Sequence, residues 1–155
     1  MNIVLLGYRG TGKSVVGRLL ARRLHRPLYC LDDRIVQRAG MPIPEIVSRL
    51  GWPGFRELEA VAVKTVSQEA REGIIDCGGG VVLNPKNVER LREHGRTVLL
   101  TADFDVLLER LRPDANRPPL KNGLSFEEGQ RQVLLERENR YLAAADFICD
   151  TTRVP

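Results

Sequence analysis

Cysteine is scarce in this chain, and its three residues, Cys30, Cys77 and Cys149, are widely spaced. An odd count at such spacing argues against a disulfide framework and against a cysteine-built metal site. Each follows or sits in an apolar run, so buried thiols in a reducing compartment are the expectation. Long hydrophobic runs are missing as well: no stretch approaches the roughly 20 apolar residues that span a bilayer. The opening MNIVLLGYRG lacks the charged start and cleavage site of a secretory signal. A soluble, cytoplasmic protein with no membrane partner is therefore expected. Basic residues exceed acidic ones, 24 to 20, but never form a block of five or more. A small polyanionic ligand explains that balance as well as nucleic acid does, and no nucleic-acid partner is expected. Repeats and low-complexity segments are absent. Histidine is limited to His25 and His94, both at expected helix ends, where capping outweighs catalysis.

What is present fits one globular unit. A length of 155 residues, 43% apolar and 28% charged, matches a single domain spanning 1–155 with one core. Asn2 to Leu6 is a short apolar run closed by glycine, and Lys13 to Leu24 sets Val16, Leu19, Leu20 and Leu24 on one helical face. A second apolar run covers Leu28 to Leu31, followed by helical patterns at about 33–39, 43–50 and 56–72, with glycine and proline as punctuation. Ile74 and Ile75 precede a glycine triplet. Pro85 to His94 predicts a helix, Thr97 to Thr101 a strand, Phe104 to Leu111 a helix, 113–123 a loop, 125–144 a long charged helix and Phe147 to Cys149 a last strand. Apolar strands alternating with helices imply an α/β fold, a parallel sheet buried on both faces. In such sheets ligands bind beyond the carboxyl ends of the strands.

Gly7-Tyr8-Arg9-Gly10-Thr11-Gly12-Lys13-Ser14 fits the phosphate-loop pattern G-x-x-x-x-G-K-[ST], directly after a strand and opening a helix. Backbone N–H groups of such a loop, among them those of Gly10, Thr11, Gly12, Lys13, Ser14 and Val15, turn toward phosphate oxygens at the positive end of the helix. Lys13 reaches the β- and γ-phosphates, and the Ser14 hydroxyl is a ligand for Mg²⁺. ATP is the expected nucleotide; the motif alone leaves the acceptor open.

The remaining motifs narrow the choice. Asp32, then Gly40-Met41-Pro42-Ile43-Pro44-Glu45-Ile46, Gly54-Phe55-Arg56-Glu57-Leu58-Glu59, Gly78-Gly79-Gly80, Arg117-Pro118, and Arg137 with Tyr141 occur in the order found in shikimate kinases. The chain closely resembles that family from residue 2 to about residue 155. The resemblance implies a three-layer P-loop kinase with five parallel strands in the order 2-3-1-4-5, a substrate-binding helical segment at about 32–60 and a lid at about 112–124. It implies transfer of the γ-phosphoryl group of ATP to the 3-hydroxyl of shikimate, with Asp32 contacting the substrate hydroxyls and helping to deprotonate the accepting one. Arg56 and Arg137 would grip the carboxylate and Gly78, Gly79 and Gly80 bring N–H groups to the substrate. Arg117 would stabilise the transferring group, and Arg110 and Arg153 lie around the adenine. A monomer is expected.

The residues on their own leave alternatives open. Arginine forks match a planar carboxylate, but Arg56 and Arg137 can equally pair with Glu57 and Glu138 on a surface. Asp32 by position suits a helix N-cap, the glycine triplet a flexible turn, 113–123 a solvated loop and Trp52 a packing residue. Rival readings are a nucleoside-monophosphate or gluconate-type kinase, and a nucleotide-binding relative with reduced turnover.

Two departures from the family pattern stand out. Where shikimate kinases carry Asp-x-Asp, this chain has Cys30-Leu31-Asp32, and cysteine is a poor ligand for Mg²⁺. Asp76 ends the neighbouring strand and is the candidate replacement; a turn-capping aspartate is the alternative. Family members also continue past the adenine loop into a final helix, whereas this sequence ends at Pro155.

Overall fold

A computed structural model describes residues 1–111 and 125–153. Five strands, β1 (Asn2–Leu6), β2 (Leu28–Cys30), β3 (Ile74–Asp76), β4 (Gly95–Thr101) and β5 (Phe147–Asp150), form one sheet in the order β2-β3-β1-β4-β5. Every pairing is parallel, with Leu5 opposite both Asp76 and Val98. The expected fold and strand order are those observed. Helices α1 (Lys13–Leu24), α2 (Leu31–Ala39), α3 (Ile43–Glu69), α4 (Pro85–Glu93), α5 (Phe104–Leu111) and α6 (Phe126–Ala144) flank it. The centre of the core is β1 and β3, where Val4, Leu6, Ile74 and Ile75 are fully buried. Such strands need apolar residues at successive positions because helices cover both faces. Among the described residues no helix is long and apolar enough to cross a membrane.

Several local expectations change. The helix expected at 33–39 starts two residues earlier, at Leu31, with Cys30 at its N-cap and no side-chain cap. Asp32 therefore lies in the first turn of α2 rather than at its N-cap. The patterns at 43–50 and 56–72 fall on two arms of α3, which ends at Glu69 instead of 72 and is joined at Gly51, whose φ of 70° and ψ of 174° break the helix. Pro53 is tolerated because it sits in the first turn of the second arm. In α1 the sheet-facing position is Gly17, where an added methyl would lie 3.3 Å from Leu28 and 3.5 Å from Leu5. That close approach turns Leu19 and Leu24 outward, 45% and 46% exposed, against the expected apolar face. Cys149 is exposed because β5 is the sheet edge.

Candidate active site

The carboxyl ends of β1, β2 and β3 open into a cavity of about 300 Å³. On one side the phosphate loop runs from β1 into α1. Gly12, the residue before the helix, has φ 96°, a left-handed conformation that costs glycine little and lets the loop curl. The Lys13 ammonium donates to the carbonyls of Gly7 at 2.7 Å and Tyr8 at 3.0 Å, so it is held inside that curl. Gly10, Gly12, Lys13, Ser14 and Val15 line the cavity. Thr11 does not; its hydroxyl donates to the Tyr8 carbonyl and closes the loop from behind.

At the floor, the Ser14 hydroxyl donates to Asp76 Oδ2 at 2.7 Å. Burial raises the Asp76 carboxyl above its ordinary value, while the Ser14 hydrogen bond and the Lys13 charge oppose the rise. Cys30 sits level with Asp76 on the adjacent strand, and burial pushes its thiol up to about 12, so it stays protonated. Ser14 and Asp76 are thus the hard-oxygen donors here, a set that fits Mg²⁺ shared with phosphates and water better than a closed protein cage. Among the described residues no three His, Cys, Asp or Glu side chains gather into such a cage.

Opposite the loop, α2, the second arm of α3 and α6 supply the remaining groups. Asp32 lines the cavity. Its Oδ1 lies 3.1 Å, and Glu59 Oε2 3.2 Å, from where a methyl on Gly78 would sit. Arg56 donates to Glu59 Oε1 at 2.9 Å and stacks over Trp52 and Phe55 at 5.2 and 5.3 Å from their ring centres. Its partner is the buried Glu59, not the neighbouring Glu57. Glu59 is 1% exposed and its Oε2 has no hydrogen-bond partner among the described residues; burial raises its carboxyl despite Arg56. A Cβ on Gly80 would lie 2.3 Å from the Arg56 guanidinium, so any larger residue there would displace the end of the Arg56 side chain. Arg137, from α6, is 7% exposed and faces the same cavity.

The candidate residues therefore converge, with exceptions. Arg110 reaches the Gly10 carbonyl at 3.0 Å and the Thr151 carbonyl at 2.8 Å, bracing the loop from outside the cavity. Arg153 is exposed in the turn after β5 and does not line the cavity. Arg117 lies outside the described residues. Sequence reasoning assigned nothing to Glu59, Arg9 or Tyr141. Glu59 was signalled by its place one helical turn after Arg56, the spacing at which helix side chains meet.

The profile of the shikimate kinase family matches residues 9–155. The chain belongs to the shikimate kinase family. A shikimate kinase of Geobacter sulfurreducens is 45% identical over 150 residues, covering 97% of this chain and 81% of the relative. Among solved structures, shikimate kinase from Acinetobacter baumannii in complex with shikimate aligns with TM-score 0.92 at 32% identity, covering 98% of this chain and 84% of that one. Shikimate kinase from Aquifex aeolicus aligns with TM-score 0.83 at 34% identity, covering 100% and 89%.

Proposed function

We infer that the chain, an ATP-dependent kinase of the shikimate kinase family, transfers the γ-phosphoryl group to the 3-hydroxyl of shikimate by the following division of labour. The loop N–H groups of residues 10–15 and the Lys13 ammonium hold the phosphates, and Lys13 meets the charge that develops on the transferring group. Asp32 accepts from the substrate hydroxyls and orients the attacking one. Arg56 and Arg137 fork onto the carboxylate beside the N–H groups of Gly78, Gly79 and Gly80. Arg110 and Arg153 flank the adenine. Ser14 and Asp76 would hold Mg²⁺, which supplies charge neutralisation at the phosphate oxygens when bound. Because the reaction asks little covalent chemistry of the protein, these groups act by positioning and charge.

The observation that carries this reading is Arg56, locked by Glu59 against Gly80 and facing Lys13 across one cavity. An anion-binding fork opposite a phosphate loop suits an acceptor that carries a carboxylate. All these groups come from one chain, which supports a working monomer, and use of ATP supports a cytoplasmic site. A coupled ADP-release assay tests the function. Release should depend on shikimate and saturate with it; release indifferent to shikimate would refute the reading.

A further inference from the structure

Tyr141 is 3% exposed and lies one turn beyond Arg137 on α6. Its hydroxyl donates to the Gly79 carbonyl at 2.5 Å. The Arg137 guanidinium stands close enough to the same hydroxyl for its charge to oppose the effect of burial on the phenol. A phenol oxygen can accept from one partner while donating to another, so the Tyr141 oxygen can accept from Arg137 while it donates to Gly79. Burial raises the Tyr141 phenol above its ordinary value, which keeps its proton in place for donation. Among the described residues no peptide is cis, so the Gly79 carbonyl and the Gly80 N–H point in opposite directions across one planar unit. Fixing the carbonyl on Tyr141 therefore aims that N–H away from the helix. Gly80 lines the cavity and Tyr141 does not. Gly80 is also where the Arg56 guanidinium rests, 2.3 Å from an added Cβ.

We propose that Tyr141 is a positioning residue for the acceptor's carboxylate: its hydroxyl sets the Gly79–Gly80 peptide and the Arg137 guanidinium at once, so that the Gly80 N–H, Arg137 and Arg56 meet one anionic group. This rests on the functional reading above. Tyr141 touches no substrate; it acts through the peptide and the arginine. Without the hydroxyl, the peptide can rotate and Arg137 loses the partner that fixes its fork.

The test is Tyr141→Phe in the full chain, with steady-state kinetics for both substrates and calorimetric shikimate binding without nucleotide. The shikimate KM and Kd should rise about tenfold, the loss of one well-placed hydrogen bond, while kcat and the ATP KM stay within about twofold. The alcohol analogue, with CH₂OH for the carboxylate, should bind Tyr141→Phe and wild type equally. In the Arg137→Ala background, removing the hydroxyl should cost markedly less than in wild type, because the two groups share one target. An unchanged shikimate KM, a parallel loss of ATP and shikimate affinity, or an equal loss with the alcohol analogue each overturns the proposal. If wild type itself fails to saturate with shikimate, the functional reading falls and this inference with it; if wild type saturates and Tyr141→Phe matches it, the inference alone falls.

Discussion

Asp76 and Cys30 stand level on neighbouring strands, and the carboxylate is the one that engages the phosphate-loop hydroxyl. If Asp76 holds Mg²⁺, Asp76→Asn should lose most activity at low Mg²⁺ and regain part of it at high Mg²⁺, because the defect is one of ion affinity. Mg²⁺ with ADP should raise the melting temperature of wild type more than that of Asp76→Asn. Behaviour like wild type in both titrations would reduce Asp76 to a partner of Ser14. The pH response follows from its raised carboxyl. Between the unfolded and folded pKa values the folded state holds more protons than the unfolded one, so stability falls as pH rises through that window. In buffer free of metal and nucleotide, wild type should lose stability relative to Asp76→Asn as pH rises from about 4, the ordinary carboxylate range. Lys13→Ala should reduce turnover by at least about a hundredfold, the scale of losing one preorganised charge at the transition state. The placement of Lys13 and Ser14 in one loop at the cavity was legible because the loop motif demands its residues at fixed spacing. Glu59 was not, because a buried carboxylate and a solvated one look alike until the packing around α3 is known.

The arms of α3 meet at Gly51 in a backbone conformation nearly reserved for glycine. The break turns the second arm so that Phe55 and Glu59 are buried while Arg56 faces the cavity. Gly51→Ala should cost about 1–3 kcal/mol, and for a chain of this size each 1 kcal/mol lowers the melting temperature by about 2–4 °C. It should also raise the shikimate KM, since the strain falls on the element that carries Arg56. A normal melting temperature with normal kinetics would show that the alanine is accommodated without moving the arm. The sequence marked this region only as a cluster of glycine and proline between two helical patterns. Punctuation of that kind separates a loop from a kink poorly, because both need a residue that tolerates positive φ. Helix α1 misled in the opposite way. Its leucines suggested the buried face, but Gly17 brings the helix so close to β1 and β2 that the small residue owns the contact.

At the scale of the molecule, the parallel sense was legible from the alternation of apolar strands with helices, whereas the strand order came from the family resemblance. The edge was harder. Phe147, Ile148 and Cys149 form an apolar run that suggests burial, but β5 pairs with β4 alone and all four of its residues are exposed. Between that edge and the site runs a brace: the Thr151 hydroxyl donates to the Thr11 carbonyl at 2.6 Å while Arg110 holds Gly10 and Thr151. Arg110→Ala should therefore raise the ATP KM by about tenfold, the loss of one charged hydrogen-bond donor, with little change in that for shikimate. Equal shifts in both would argue against a brace specific to the nucleotide side. The exposure of Cys149 also makes the molecule chemically addressable. Burial holds the Cys30 and Cys77 thiols high and unreactive, whereas Cys149 faces solvent on a strand that does not line the cavity. A maleimide dye added to the native chain should couple once, at Cys149, and leave a catalytically intact enzyme carrying a single spectroscopic reporter.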